Sequence, residues 1–292
     1  MESLKGIDLK VEQGDIFGFV GPNGAGKSTT IKILTGLLRP SEGDAWLFEK
    51  SVYDPTSRIS LGYLPENPKF YNYLSLFDFL LLVADIRGID RKTSKTKINE
   101  LIELVGLEKT GKTHLKAFSK GMVQRAGIAM ALLNDPDLII LDEPMSGLDP
   151  LGRDLIANIF MELQNKGKTI FFSTHIIPDI EALCDSVGIL VNGEIKYTGS
   201  VQDILYSGDD TMEMTLSLPD ATDINNKIQL KDDAQLIWRK GELFKLRIKQ
   251  KTVAEYMPLI TSKGGSIIKL EQKRKNFETL FRELVSKGKN KQ

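Results

Sequence analysis

The chain has 292 residues, room for one large domain and a smaller one. Hydrophobic residues make up 41% and charged residues 27%, the balance of an ordinary globular protein. Lys plus Arg equals Asp plus Glu at 39 each, so the formal net charge is zero. Neutrality argues against a dedicated nucleic-acid binder, which carries a basic surplus. A single cysteine, Cys184, cannot form an internal disulfide; it reads as a small buried apolar residue in a reducing compartment.

The N-terminus "MESLKGIDLK" shows no basic flank leading into an apolar run, so no signal peptide is expected. The run "IFGFV" at 16–20 is short and continuously apolar, which suits a strand buried on both faces of a parallel sheet. It leads into "GPNGAGKST" at 21–29, a match to G-x-x-x-x-G-K-[ST] placed between a strand and the helical "STTIKILTGLL". In such a loop, Gly21, Gly24 and Gly26 let successive backbone N–H groups curl around a phosphate, Lys27 reaches the terminal phosphates, and Ser28 ligates Mg²⁺. Asn23 and Thr29 complete the candidate phosphate-binding set.

From about 70 to 135 the spacing is helical. Leu76, Phe79, Leu80 and Val83 form one stripe, and Ile98, Leu101, Ile102 and Val105 form another. The most apolar stretch, "FLLLVADI", falls far short of the roughly 20 residues that a membrane helix needs. "FSKGM" at 118–122 reads as a second anion-binding helix start, with Ser119 as cap and Gly121 behind it. The helix it opens is expected to bury Val123, Ala126, Gly127, Met130 and Ala131.

"LIILDEP" follows as a buried strand that ends in Asp142, placed to hold Mg²⁺ through water. Glu143 comes next, placed to take a proton from an attacking water. "SGLDP" at 146–150 contains Asp149, and a third strand "TIFFST" at 169–174 delivers His175. His114 has no such context and reads as a solvated loop residue. Asn192-Gly193 between apolar runs is a hairpin signal. After about residue 205 the pattern changes to short strands, "MEMTLSL", "ELFKLRIK" and "SIIKLEQ", and a final helix around "NFETLFRELVSK".

This order of motifs over residues 1 to about 200 resembles the ATP-binding cassette (ABC) ATPases. The resemblance implies an α/β P-loop NTPase core over 1–205, with a helical subdomain at about 70–135. A small C-terminal α+β accessory domain at 210–286 and a disordered tail at 287–292 complete the expected organisation. The family signature matches at Ser119 and Gly121, while Phe118, Lys120 and Met122 stand where the family has Leu, Gly and Gln. Such variants look like those of bacterial exporters with separate permeases.

In that family the signature binds the ATP held by the opposite subunit. One chain then carries half of two sites, and a nucleotide-sandwich homodimer is implied. By the same resemblance His175 is the switch histidine that contacts the terminal phosphate, and Asp149 lies where the two subunits meet. Glu66 in "YLPEN" stands in for the glutamine of the loop that ligates Mg²⁺ and faces the permease. An aromatic that stacks on adenine is also implied. Residues 1–16 contain no Phe, Tyr or Trp, so either the aromatic lies upstream of Met1, the reading favoured here, or adenine is held more weakly.

The implied protein uses ATP and Mg²⁺, hydrolyses ATP and energises an integral membrane permease for export. It would be cytoplasmic and peripheral on the inner face of the membrane, with no nucleic-acid partner. The alternative is a soluble ABC ATPase acting on ribosomes or DNA. The single P-loop and the lack of sustained heptads before "FSKGM" weigh against it. A P-loop kinase or GTPase would leave "FSKGM", "SGLD" and His175 unexplained, and N-K-x-D is missing.

Overall fold

The structure is a computed structural model describing residues 2–206, 210–219, 224, 228, 230, 234–272 and 277–289. Two compact units are distinguished, Met1–Val201 with Glu278–Gln292, and Gln202–Phe277.

In the first unit β1 (Ile16–Val20) runs through the P-loop into α1 (Lys27–Leu34). A small hairpin of β2 (Trp46–Leu47) and β3 (Lys50–Ser51) follows, then β4 (Leu61–Leu64). Three helices form the insert: α2 (Leu76–Ile86), α3 (Arg91–Leu104) and α4 (Lys120–Ala131). The chain continues as β5 (Leu138–Asp142), α5 (Pro150–Asn165), β6 (Thr169–Thr174), α6 (Ile177–Leu183), β7 (Ser186–Val191) and β8 (Glu194–Ser200). Then come α7 (Val201–Tyr206), β9 (Thr211–Ser217), β10 (Ala234–Lys240), β11 (Leu243–Lys249), α8 (Val253–Ser262), β12 (Ser266–Gln272) and α9 (Phe277–Lys289).

The main sheet has the order β4-β5-β6-β1-β7-β8, parallel except for β8. Strands β1 and β6 are buried along their whole length, as central strands of a parallel sheet covered on both faces are. Phe171 fixes one face, stacking on Phe17 at 5.5 Å and tilting against Phe19 at 5.4 Å. Ile31 of α1, Leu61, Ile140 and Leu190 close around it. On the opposite face Phe172 meets Phe160 of α5 at 5.6 Å. Asn192 and Gly193 both have positive φ (52° and 79°) and turn the β7–β8 hairpin as their sequence indicates.

Helix starts in the insert follow their capping residues. Ser75 accepts from the Asp78 N–H ahead of α2, and Asp90 accepts from Lys92 and Thr93 ahead of α3. Two burial patterns differ from the helical stripes read in the sequence. In α2, Val83 is half-buried and Ala84 is buried. In α4, Val123 and Met130 are half-buried, while Gln124, Ile128 and Ala129 join Ala126, Gly127 and Ala131 inside. A helix covered on more than one side buries more than a single stripe.

Strand β4 escapes the apolar pattern because it is four residues long and contains Gly62. A Cβ there would lie 2.3 Å from the Ala131 carbonyl oxygen, so the close approach of α4 admits only glycine. His114 is exposed and bridges Ser75.

The second unit holds an antiparallel sheet of order β10-β11-β9-β12. Met214, Leu216, Phe244, Leu246 and Ile248 alternate inward and pack on Tyr256 and Ile260 of α8. Glu213 pairs across strands with Lys245 at 2.6 Å and Arg247 at 3.3 Å, which holds its carboxyl below the usual range. Strand β10 has no alternating burial pattern because it is an edge strand with a bulge between Leu236 and Trp238. "SGDD" lies mostly outside the described residues. Helix α9 is helical to Lys289, three residues into the segment expected as a tail, and 290–292 lie outside the described residues.

Phe171→Ala removes the ring that both Phe17 and Phe19 pack on. It should lower stability by about 3–5 kcal/mol, seen as a shift of the denaturation midpoint by circular dichroism; a shift of a few tenths of a kcal/mol would show that Phe171 does not anchor this face.

Candidate functional site

Strand order places the site. β6 lies between β1 and β5, so the loops leaving all three emerge side by side at the carboxyl edge of the sheet, where ligands of open α/β sheets bind. In register, Ser173 pairs with Phe19 on one side and with Asp142 on the other.

The loop after β1 turns sharply into α1. Gly26 is its N-cap, with φ of 112°, and a Cβ there would sit 2.7 Å from Leu4 Cδ2 and 2.8 Å from the Ser3 carbonyl oxygen. Lys27 begins the helix and is 7% exposed. Its ammonium donates to the Gly21 oxygen at 2.7 Å and the Pro22 oxygen at 3.3 Å, and stands 3.7 Å from Glu143 Oε1. Gly21 is buried, Asn23 and Gly24 are exposed, and Ser28 and Thr29 are half-buried. Thr29 Oγ1 is bonded to Ser3 Oγ at 2.9 Å.

At the end of β5 Asp142 is buried, and its Oδ1 accepts from Ser173 Oγ at 2.5 Å. Glu143 departs from the strand with φ of +51°. A non-glycine residue in this region costs about 1–3 kcal/mol and persists only where its surroundings hold it. Both of its peptide groups are held: its N–H donates to Ser173 Oγ at 2.9 Å, and its carbonyl accepts from Gln124 Nε2 at 3.1 Å. The side chain points back over the P-loop, with Oε2 3.0 Å from His175 Nδ1. A carboxylate only accepts, so Nδ1 carries the proton of this bond. His175 is half exposed. Tyr63 lies close enough to Asp142 to sense it, its phenol pushed up by burial first and by that charge second.

Lys27, Asp142, Glu143 and His175 are therefore gathered at one edge. The other candidates lie elsewhere. Ser119 caps α4 by accepting from the Met122 N–H at 3.3 Å, and Gly121 abuts Gly147 and Leu148. Asp149 caps α5 by accepting from the Gly152 N–H at 2.9 Å. Lys120 Nζ reaches Ser146 Oγ at 3.4 Å, joining the start of α4 to the turn that precedes α5. Ser119, Asp149 and Glu66 are exposed, and no hydrogen bond or ion pair joins any of them to Lys27, Asp142 or Glu143. Among the described residues no cluster of three His, Cys, Asp or Glu forms a metal site.

Ser173 and Gln124 were missed by motif reading. The sequence offers only a slight signal for each, a polar residue two before His175 for Ser173 and a polar residue among apolar neighbours on a helix for Gln124, and neither signal names a partner.

Cys184 is buried, its thiol pushed well up by burial first and then by Asp185 and Asp179. Ser173→Ala leaves the Glu143 N–H and one Asp142 oxygen without their partner. A loss of about 1–3 kcal/mol in stability is expected, measured by urea denaturation; an unchanged midpoint would mean that water replaces the hydroxyl at no cost.

Comparison with known proteins gives the family. A family model described as ABC transporter matches residues 4–146. An ABC transporter ATP-binding protein of Synechocystis sp. is 38% identical over 99% of this chain and 80% of its own length. The bacitracin transport ATP-binding protein of Bacillus licheniformis is 42% identical over 66% of this chain and 63% of its own. A solved ATP-binding subunit of an ABC transporter superposes with a TM-score of 0.64 at 37% identity, covering 69% of this chain and 85% of that one. The chain belongs to the ABC transporter family, as an ATP-binding ATPase subunit built on the P-loop NTPase fold.

Proposed function

We propose that this subunit hydrolyses ATP between two copies of itself and so energises a separate membrane permease for export. The observation that carries the proposal is the convergence of Lys27, Glu143 and His175 at the ends of β1, β5 and β6. In this reading the backbone of Gly21, Asn23, Gly24 and Gly26, with Lys27, Ser28 and Thr29, holds the phosphates. Glu143 takes the proton of a water as its oxygen attacks the terminal phosphorus, and ADP leaves in line. His175, fixed through Nδ1 by Glu143, turns its other nitrogen toward the terminal phosphate, to which it can donate when both ring nitrogens carry protons.

The donor set suits Mg²⁺, which takes oxygen ligands and keeps several waters. Asp142 has one carboxylate oxygen bonded to Ser173 and the other without a hydrogen bond, open to a metal-bound water. The Ser28 hydroxyl is the second candidate ligand. Glu66 is assigned to the same ion on resemblance alone. When bound, the cation would neutralise charge on the phosphate oxygens in the transition state.

Ser119 and Asp149 are exposed caps, with Gly121 half-buried behind the first, and their side-chain bonds go to their own helices and not to the P-loop, which supports their use on the partner copy's nucleotide. No helix among the described residues is long and apolar enough to cross a membrane. The transport path is therefore assigned to an integral membrane permease, with this subunit peripheral on its cytoplasmic face. The relatives' transport names favour that assignment over a ribosome- or DNA-acting ATPase. Residues 210–286 are proposed as an accessory domain; all but its terminal helix falls in the second unit.

Glu143→Gln should retain ATP binding, lose about 10²- to 10⁴-fold in turnover, and accumulate as an ATP-dependent dimer by size-exclusion chromatography. Near-normal turnover would remove Glu143 from its role. The same variant, used with ATP and Mg²⁺ as bait on detergent-solubilised membranes, should retain a polytopic membrane protein. Recovery of ribosomal or DNA-associated proteins instead would sink the transport reading.

A further inference from the structure

We propose that Gln124 is a positioning residue for Glu143, acting from the signature helix on the base of its own chain; this rests on the hydrolytic role proposed for Glu143. Gln124 is 2% exposed, a polar side chain enclosed with Ala126, Ile128 and Ala129. It spends its amide on one partner outside its helix, the Glu143 carbonyl, at 3.1 Å.

That carbonyl belongs to the residue that departs from regular strand geometry, with φ of +51°. Pro144 follows and disfavours relaxation toward the right-handed helical region. With the Glu143 N–H held by Ser173 and its C=O held by Gln124, both peptide planes flanking the Glu143 Cα are fixed. The direction of the Cα–Cβ bond is then fixed too. The carboxylate is thereby aimed between His175 Nδ1, 3.0 Å away, and Lys27 Nζ, 3.7 Å away.

Gln124 also lies on α4, five positions after the exposed cap Ser119. A shift of α4 caused by a ligand at its N-terminus would pull on the Glu143 carbonyl through this one hydrogen bond. The helix surface proposed to meet the partner's nucleotide and the grip on this chain's own base are thus on the same rigid element.

A residue that acts through another loses its effect when that other residue is gone. The test is steady-state ATP hydrolysis by the full chain carrying Gln124→Met or Gln124→Asn, each alone and combined with Glu143→Gln. The asparagine keeps a polar group at the site but withdraws the donor, so it guards against a packing defect in the methionine variant. Alone, each substitution should lower kcat by roughly 10- to 100-fold, since small misplacements of a reacting group have effects of this size, with KM for ATP nearly unchanged. Added to Glu143→Gln, each should change the residual turnover by no more than about twofold.

The same fold loss in both backgrounds would make Gln124 a packing residue. An unchanged kcat, or a higher KM at full kcat, would also overturn the inference while leaving the role of Glu143 intact. Turnover that survives Glu143→Gln overturns the reading of Glu143 and the positioning role with it.

Discussion

Ser173 lies level with Phe19 in one neighbouring strand and with Asp142 in the other, and this register governs the rest of the site. Because β6 separates β1 from β5, the P-loop and the acidic strand end cannot touch through their backbones. Lys27 and Glu143 meet through side chains that reach across the end of β6. Ser173 is short enough to remain inside and polar enough to bond both Asp142 Oδ1 and the Glu143 N–H. A residue later, the chain leaves the sheet and carries His175 outward to close over Glu143. A slip of one residue in a parallel register would turn these side chains to the other face of the sheet. The tight packing of Phe17, Phe19 and Phe171 opposes such a slip. Core packing and chemistry are therefore set by the same three strands.

Charge burial explains why the groups are so closely partnered. Lys27 is 7% exposed and the Glu143 side chain 12%, depths at which an unpaired charge is expensive. The ammonium is answered by two loop carbonyls and the carboxylate, and the carboxylate by the ammonium and an imidazole. The strained backbone of Glu143 belongs to the same arrangement. It turns the side chain out of the strand direction and over the P-loop, and the bonds from Ser173 and Gln124 offset its conformational cost.

Much of this was legible in the residue order. The strands 16–20, 138–142 and 169–174 are marked by the apolar runs "IFGFV", "LIIL" and "IFF", and the P-loop follows the first as its motif demands. The turn at Asn192-Gly193 is a local signal and needs no tertiary context. What stayed hidden is what depends on contacts between distant segments. β4 is too short to show a period, and its Gly62 is explained only by the Ala131 carbonyl pressing on it. Gln124 and Ser173 are unremarkable residue types whose use appears only when α4 and β6 are placed against the same backbone. The left-handed turn at Glu143 has no sequence signature, because the glycine that such a turn usually takes would leave no carboxylate.

A physical division separates the groups proposed to serve the chain's own nucleotide from those proposed to serve its partner's. Lys27 and Asp142 are buried, Glu143 nearly so, and each is paired inside the chain. Ser119 and Asp149 are exposed, and each is an N-cap, at α4 and α5. Capping satisfies one backbone donor of the helix and leaves others, with the positive end of the helix dipole, facing outward. Lys120 at the start of α4 reaches Ser146 in the turn ahead of α5, and Gly121 lies beside Gly147. The backbone donors that the caps leave over are suited to a phosphate brought by another molecule. Because α4 also reaches inward to Glu143 through Gln124, the proposed roles would link the filling of that outer surface to the aiming of the inner carboxylate.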